Sequence, residues 1–179
     1  MRVLLAVLLL SSTAYADRSS VWSLGATGAV RTHGPDFSTN NSSSFFAGGR
    51  LTLAFEDAPM PMPAGDWYTS DTSIVPELLA GFLSNDTRAE GYAGAGARLE
   101  LRIASNRRGA NQHTAIYGAA RAIVIGKHQD GAAEFAIGSH LSRGTDHNRF
   151  GWELGAMERP QGRDKHQLDA MLSLYTSWR

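Results

Sequence analysis

Residues 90–103 carry the pattern that organises the chain. Their even positions hold Glu90, Tyr92, Gly94, Gly96, Arg98, Glu100 and Arg102; their odd positions hold Gly91, Ala93, Ala95, Ala97, Leu99, Leu101 and Ile103. A strand sends successive side chains to opposite faces, so one face here is charged and the other apolar. At helical spacing the same residues scatter charge all round, and the period is therefore two. The run is also far longer than the usual strand of about five or six residues.

The same segregation recurs from end to end. Trp22, Leu24, Ala26, Gly28 and Val30 alternate with Ser23, Gly25, Thr27, Ala29 and Arg31. A loop rich in Gly, Pro, Asn and Ser follows, and alternation resumes from Phe45 to Glu56, with Arg50 and Thr52 on the face opposite Leu51 and Leu53. The prolines after Asp57 predict a second, longer loop to Thr72. Ile74, Leu78, Ala80 and Phe82 make a third apolar face, although Pro76 leaves a short helix over residues 75–82 open. The stretch at 90–103 is the fourth strand, residues 114–126 the fifth. Gln129, Asp130 and Gly131 read as a hairpin turn of the Asp-Gly kind. Strands at 133–142, 150–156 and 168–178 complete the chain. Eight consecutive strands with no intervening helix predict an all-β, eight-stranded antiparallel up-and-down barrel.

The N-terminus alters the picture of where this barrel resides. Arg2, the apolar run from Val3 to Leu10 and the Ala14-Tyr15-Ala16 ending have the form of a cleavable export signal. The apolar core is too short for a spanning helix, which needs about 20 residues. The expected division is a signal peptide over 1–16 and a barrel domain over 17–179. Without Arg2 the balance is 16 basic against 17 acidic residues, so nothing points to nucleic acid. There is no cysteine, hence neither a disulfide framework nor an acylated N-terminal anchor. Only Lys127 and Lys165 are lysines; the other basic residues are arginines, which suit confined, planar pairing with carboxylates.

The next question is which face is dry. The polar faces together carry Arg31, Arg50, Glu56, Glu77, Glu90, Arg98, Glu100, Arg102, Arg121, Glu134, His140, Glu153 and Asp169, interleaved with tyrosines and glycines. A soluble, lipocalin-like barrel binding an apolar ligand would turn these to water. A membrane barrel turns them inward and shows its apolar face to lipid. Charges crowded among glycines suit a narrow lumen. Aromatics near the strand ends on the apolar face (Trp22, Phe45, Phe55, Phe82, Phe150, Trp152, Trp178) suit an interfacial girdle. A transmembrane barrel is the reading these favour, with Arg50, Glu77, Glu90, Arg98, Glu100, Arg102, Arg121, Glu134 and Glu153 as a lumenal ion-pair network.

Export signal, strand count, alternation and the final strand ending at Trp178 and Arg179 together resemble the small eight-stranded outer-membrane barrels of Gram-negative bacteria, the OmpA/OmpX-like superfamily. The resemblance covers the mature chain. It implies outer-membrane localisation, a monomer, contact with outer-membrane lipid, and recognition of the last strand by the barrel-assembly machinery. Two departures stand out: the terminal aromatic is penultimate, and the long 57–72 connection falls on the periplasmic side, where short turns are expected.

Chemistry is sparse. His140 and Ser142 share a face, with Glu153 on the next strand, and base, hydroxyl and carboxylate are what acyl transfer requires. The triple resembles the outer-membrane lipid A deacylases, which carry a His-x-Ser pair followed about 14 residues later by Glu. In that family the motif lies in the last hairpin, whereas here a further strand follows Glu153, and His140 shares a face with Glu134. The expectation is therefore no catalysis, with His140 in a polar interior network and the hydrolase as the alternative. His113, His128, His140 and His147 have no paired spacing for a metal, and no cofactor motif appears. Paired arginine and glutamate in so narrow a lumen argue against a channel.

Overall fold

The structure is a computed structural model that describes residues 19–34, 43–57, 68–107, 110–126, 130–143, 148–160 and 166–178. The expected export signal, the Met60–Pro63 loop, His128 and His147 lie outside these residues.

Eight strands follow one another as β1 (Ser19–Gly34), β2 (Ser43–Glu56), β3 (Tyr68–Ser84), β4 (Ala89–Arg107), β5 (Ala110–Ile125), β6 (Asp130–Arg143), β7 (Arg149–Pro160) and β8 (His166–Trp178). Each pairs antiparallel with its neighbour, and β1 closes against β8. Following paired residues once round the barrel leads from Trp22 through Leu53, Leu78, Ala95, Ala122, Ala133, Glu158 and Leu168 back to Thr32, a stagger of ten residues. A stagger of that size over eight strands tilts them by about 40° and leaves an interior that side chains fill.

The sequence pattern places the turns less well than the strands. Tyr68 to Thr72, expected in the long loop, belong to β3 and pair with Leu101 to Ser105. The prolines that argued for a loop stop at Pro63, and nothing after them forbids pairing until Pro76. Pro76 is itself in strand, but the β2–β3 ladder ends at Ala54↔Glu77, one residue short of it. A proline has no N–H for the next rung. Asp130 and Gly131, expected to turn, lie in β6; the left-handed residue is Gly126 (φ 65°), whose N–H donates to the Gly91 carbonyl at 2.8 Å. The β3–β4 turn is closed by Asn85, whose Oδ1 accepts from the backbone N–H of Thr87 and Arg88.

Burial answers the question the sequence posed. Arg31, Arg50, Glu77, Arg98, Glu100, Arg121, Glu134 and Glu153 are buried, while Phe45 (66%), Phe150 (64%), Leu99, Ile116, Phe135, Leu154 and Leu172 stand exposed on the outside. So extensive an apolar exterior is incompatible with water as the only solvent. Trp22, Phe150, Trp152 and Trp178 edge this belt towards the chain termini, and Phe45 and Phe82 edge it at the distal end, as an interfacial girdle does. Between these limits each strand contributes roughly nine residues, which at about 3.3 Å per residue and a tilt near 40° cover roughly 20–25 Å. That matches the roughly 25 Å apolar band of a transmembrane barrel. Beyond the belt, at the terminal end, β3, β4 and β5 continue as a three-stranded extension with Ser70 and Thr72 exposed.

Leu154, half exposed at the middle of this belt, gives a direct test. Leu154→Arg is expected to destabilise the barrel in lipid vesicles by about 2–4 kcal/mol, measured by denaturant unfolding. On a water-facing exterior the same change would stay within about 0.5 kcal/mol.

Candidate functional site

Side chains from all eight strands meet in the interior, and they sort into layers along the barrel axis. At the distal end Arg31 on β1 grips Asp169 on β8 with two bonds, Nε to Oδ1 at 2.8 Å and NH2 to Oδ2 at 3.0 Å. Its NH2 also reaches Glu90 on β4 at 2.8 Å. Arg159 on β7 bonds the same two carboxylates, each at 2.8 Å. Two guanidinium groups and two carboxylates thus form a closed ring that joins β1 to β4 across the lumen. Arg88, largely exposed, caps it through Glu90 at 2.6 Å.

Below the ring lies an apolar layer built of Ala29, Phe46, Leu79, Leu83, Tyr92, Ile123, Ile125, Met157 and Met171. The Arg31 guanidinium stacks on the Phe46 ring at 4.1 Å, which joins the two layers by a cation–π contact. The interior is therefore not polar throughout. Alternation within each strand puts these positions on the inward face, and large apolar side chains occupy it wherever the charges stop.

The middle layer holds the densest pairing. Arg121 on β5 bonds Glu77 at 2.5 Å, Glu153 at 2.6 and 2.7 Å, and Glu134. Arg50 on β2 reaches across the barrel to Glu134 at 2.7 Å and Glu153 at 2.5 Å. Tyr117 donates to the second oxygen of Glu153 at 3.1 Å and shares a 3.0 Å bond with Tyr175. The tyrosines fit because glycines face them: a methyl group on Gly138 would strike the Tyr117 ring, and one on Gly151 the Tyr175 ring. Gly94 and Gly96 answer a different crowding: a methyl group there would strike the Ala122 and Ala120 carbonyls of β5.

Nearer the termini Arg98 pairs with Glu56 at 2.9 Å and contacts Glu100 at 2.5 Å, with Glu77 at 3.7 Å. Arg149 bonds Glu56 at 2.6 Å and lies 3.3 Å from Nε2 of His140. Arg102 lies further towards the termini than these pairs. It sits at the terminal rim on the strand extension and bonds Asp71 at 2.5 Å, with the carboxylate half exposed to water. That bond, with a second from the Thr72 N–H, holds the Asp71 carboxyl below the ordinary carboxylate range.

His140, Ser142 and Glu153 are all buried in the interior, facing away from the lipid side. Both Glu153 oxygens are engaged by Arg50, Arg121 and Tyr117, and the polar neighbour of His140 is Arg149. His140 and Ser142 lie next to the lower layer, with the Tyr117 ring 6.3 Å from the imidazole. No cluster of metal-ligating side chains occurs among the described residues.

Two members of these layers, Arg149 and Arg159, escape a reading of the sequence that stops strand seven at Ala156 and starts it at Phe150. Counting by twos in both directions from Glu153 reaches them, through Gly151 on one side and through Gly155 and Met157 on the other.

Fold and interior together define the class: an eight-stranded antiparallel membrane barrel whose lumen is filled by layers of ion pairs and one apolar layer. No protein-family profile matches the chain, and no curated protein matches it. Among solved structures the outer membrane enzyme PagL is similar at 12% identity, covering 87% of this chain and 99% of that one with a TM-score of 0.49. Ail, the attachment invasion locus protein of Yersinia pestis, is similar at 10% identity, covering 89% and 99% with a TM-score of 0.35. Neisserial surface protein A is similar at 7% identity, covering 86% and 95% with a TM-score of 0.38.

Arg121→Ala leaves Glu77, Glu134 and Glu153 short of a buried partner and is expected to cost about 3–5 kcal/mol in denaturant unfolding of the folded barrel. Asp71→Ala breaks the rim pair from its exposed side and is expected to change little in the same measurement. The lowered Asp71 pKa has a defined sign. The pair contributes at neutral pH, and its contribution disappears as pH falls through the lowered folded value. A small loss of stability in acid is expected in the native chain and not in Asp71→Asn, read from unfolding midpoints across the acid range.

Proposed function

We propose that this chain is an integral outer-membrane β-barrel with a structural or surface-interaction role and no catalytic activity. The observation that carries the reading is the inversion of the usual protein: paired charges inside, a predominantly apolar belt with aromatic edges outside. The lumen supports a structural part. The distal ring, the apolar layer and the middle ion pairs follow one another along the axis and leave little room for a solute. Residues 1–16 support export as a signal, and outer-membrane lipid and the barrel-assembly machinery are the partners that the resemblance implies.

A lipid A deacylase-like hydrolase is the second reading, motivated by His140, Ser142 and Glu153. It is disfavoured by their inward placement, since an acyl chain lies in the bilayer, and by the commitment of Glu153 to two arginines and a tyrosine. Expression of the full chain in a Gram-negative host discriminates. The protein is expected in the outer-membrane fraction and to migrate differently on gels before and after heating. A soluble periplasmic protein with unchanged migration would overturn the membrane reading. Release of fatty acid from lipid A by the native barrel, abolished in His140→Ala, would overturn the non-catalytic one.

A further inference from the structure

Because the eight strands are staggered by ten residues round the barrel, side chains of equal height along its axis are not the paired ones. Equal heights shift towards the termini by about one and a quarter residues at each step from β1 to β8. On that scale Ser20 on β1 stands level with Leu101 on β4 and Leu141 on β6, to within about one residue. Near the distal rim, Val30 on β1 and Leu168 on β8 stand level in the same way with Ser84 on β3 and Glu158 on β7.

The outer face changes from apolar to polar at different heights round the wall. Towards the termini β1 is already polar at Ser20, just past Trp22. At that height Leu101 and Leu141 are still apolar and exposed, and Leu101 continues the row of Leu99 and pairs with the exposed Ile116. On β3 the apolar face stops at Ile74, beside Pro76, with Thr72 exposed next. At the distal rim the order reverses. Ser84 and the exposed Glu158 are polar where Val30 and Leu168 are apolar. Both limits of the belt are therefore displaced towards the termini on the β3–β7 side. A belt merely taller on one side would move its limits apart. A flat slab crossed obliquely moves them together, as here.

We infer that the barrel stands inclined in the bilayer, leaning so that Leu101 and Leu141 enter the hydrocarbon of the terminal-side leaflet and Glu158 reaches the distal headgroups. The displacement is about two residues, or about 5 Å along the axis, across a barrel about 16 Å wide, and so gives an inclination of about 15°. Upright, the same wall would leave Leu101 and Leu141 in water and a carboxylate in lipid, and tilting relieves both at modest cost. Acyl chains are the occupant of the Leu101 patch because it is continuous with the lipid-facing row above it. The inference rests on the membrane reading and adds how the barrel stands in that membrane.

The chain has no cysteine, so nitroxide labels can be attached to one introduced cysteine at a time. In reconstituted vesicles, with folding checked by heat-dependent gel migration, the ratio of oxygen to nickel-chelate collisions reads the depth of each label. Two level pairs decide: Leu101→Cys against Ser20→Cys, and Leu168→Cys against Ser84→Cys. The first-named label of each pair is expected to show a several-fold higher ratio. Leu141→Cys and Val30→Cys take their places if Leu101→Cys or Leu168→Cys fails to fold. Equal ratios in both pairs describe an upright barrel and overturn the inference. A difference confined to one pair describes a belt of unequal height and overturns it too. So does water-like access at Leu101→Cys, the result for a face kept free for a protein partner. Leu154→Cys, at mid-belt, separates the two readings: a low ratio there sinks the membrane reading and the inclination together, while a high ratio with equal pairs sinks the inclination alone.

Discussion

Everything in this molecule depends on pairing guanidinium groups with carboxylates in a space too narrow to hydrate them. An isolated charge in a low-dielectric interior carries a desolvation penalty of several kcal/mol, repaid only when partners and geometry are complete. Eight strands at a stagger of ten residues give such a space, and the large side chains cross it. Arg50 on β2 reaches Glu134 on β6 and Glu153 on β7, and Arg31 on β1 reaches Glu90 on β4. The bonds thus tie walls that no backbone ladder joins. Arginine suits this better than lysine because its planar fork serves two or three carboxylates at once, as Arg121 does. The near absence of lysine acquires a structural sense there, although codon usage in the source would produce the same composition.

The fold was legible because the period of two is enforced at every strand by a change of solvent across the wall. Slipping one residue would put Leu99 in the lumen and Arg98 in lipid, so the pattern cannot blur. Turns are under no such pressure: Asp130 and Gly131 look like a hairpin and are strand, while Tyr68 to Thr72 sit beside a proline-rich segment and are strand as well. Alternation also assigns Glu77 or Glu134 to a face without saying which arginine it meets. Partnership across a barrel is set by stagger and by side-chain reach, and neither is written locally. The acyl-transfer triple illustrates the same limit. His140, Ser142 and Glu153 are close in sequence and on one face, yet Glu153 is engaged by residues 32 to 103 positions away along the chain.

The interior is also partitioned. The apolar layer from Phe46 to Met171 separates the distal ring from the middle and lower clusters; Arg31 stacks on its Phe46 from the distal side, and Arg50 of the middle layer donates to the hydroxyl of its Tyr92 at 3.3 Å. Charges held apart by packed hydrocarbon interact less cooperatively than those sharing a network. Sequence hints at this only through the inward methionines and isoleucines, which a purely polar lumen would not need.

Pro76 carries a consequence of a different kind. Because the β2–β3 ladder stops beside it, no rung joins β3 to β2 between Tyr68 and Pro76 among the described residues, and hydrocarbon does not tolerate a bare strand edge. The bilayer must therefore end close to this residue on that side of the barrel. Aromatic girdles position a barrel through many weak preferences and permit some vertical play. A proline in the wall acts instead as a depth gauge, fixed in the backbone, that marks how far the protein may sink.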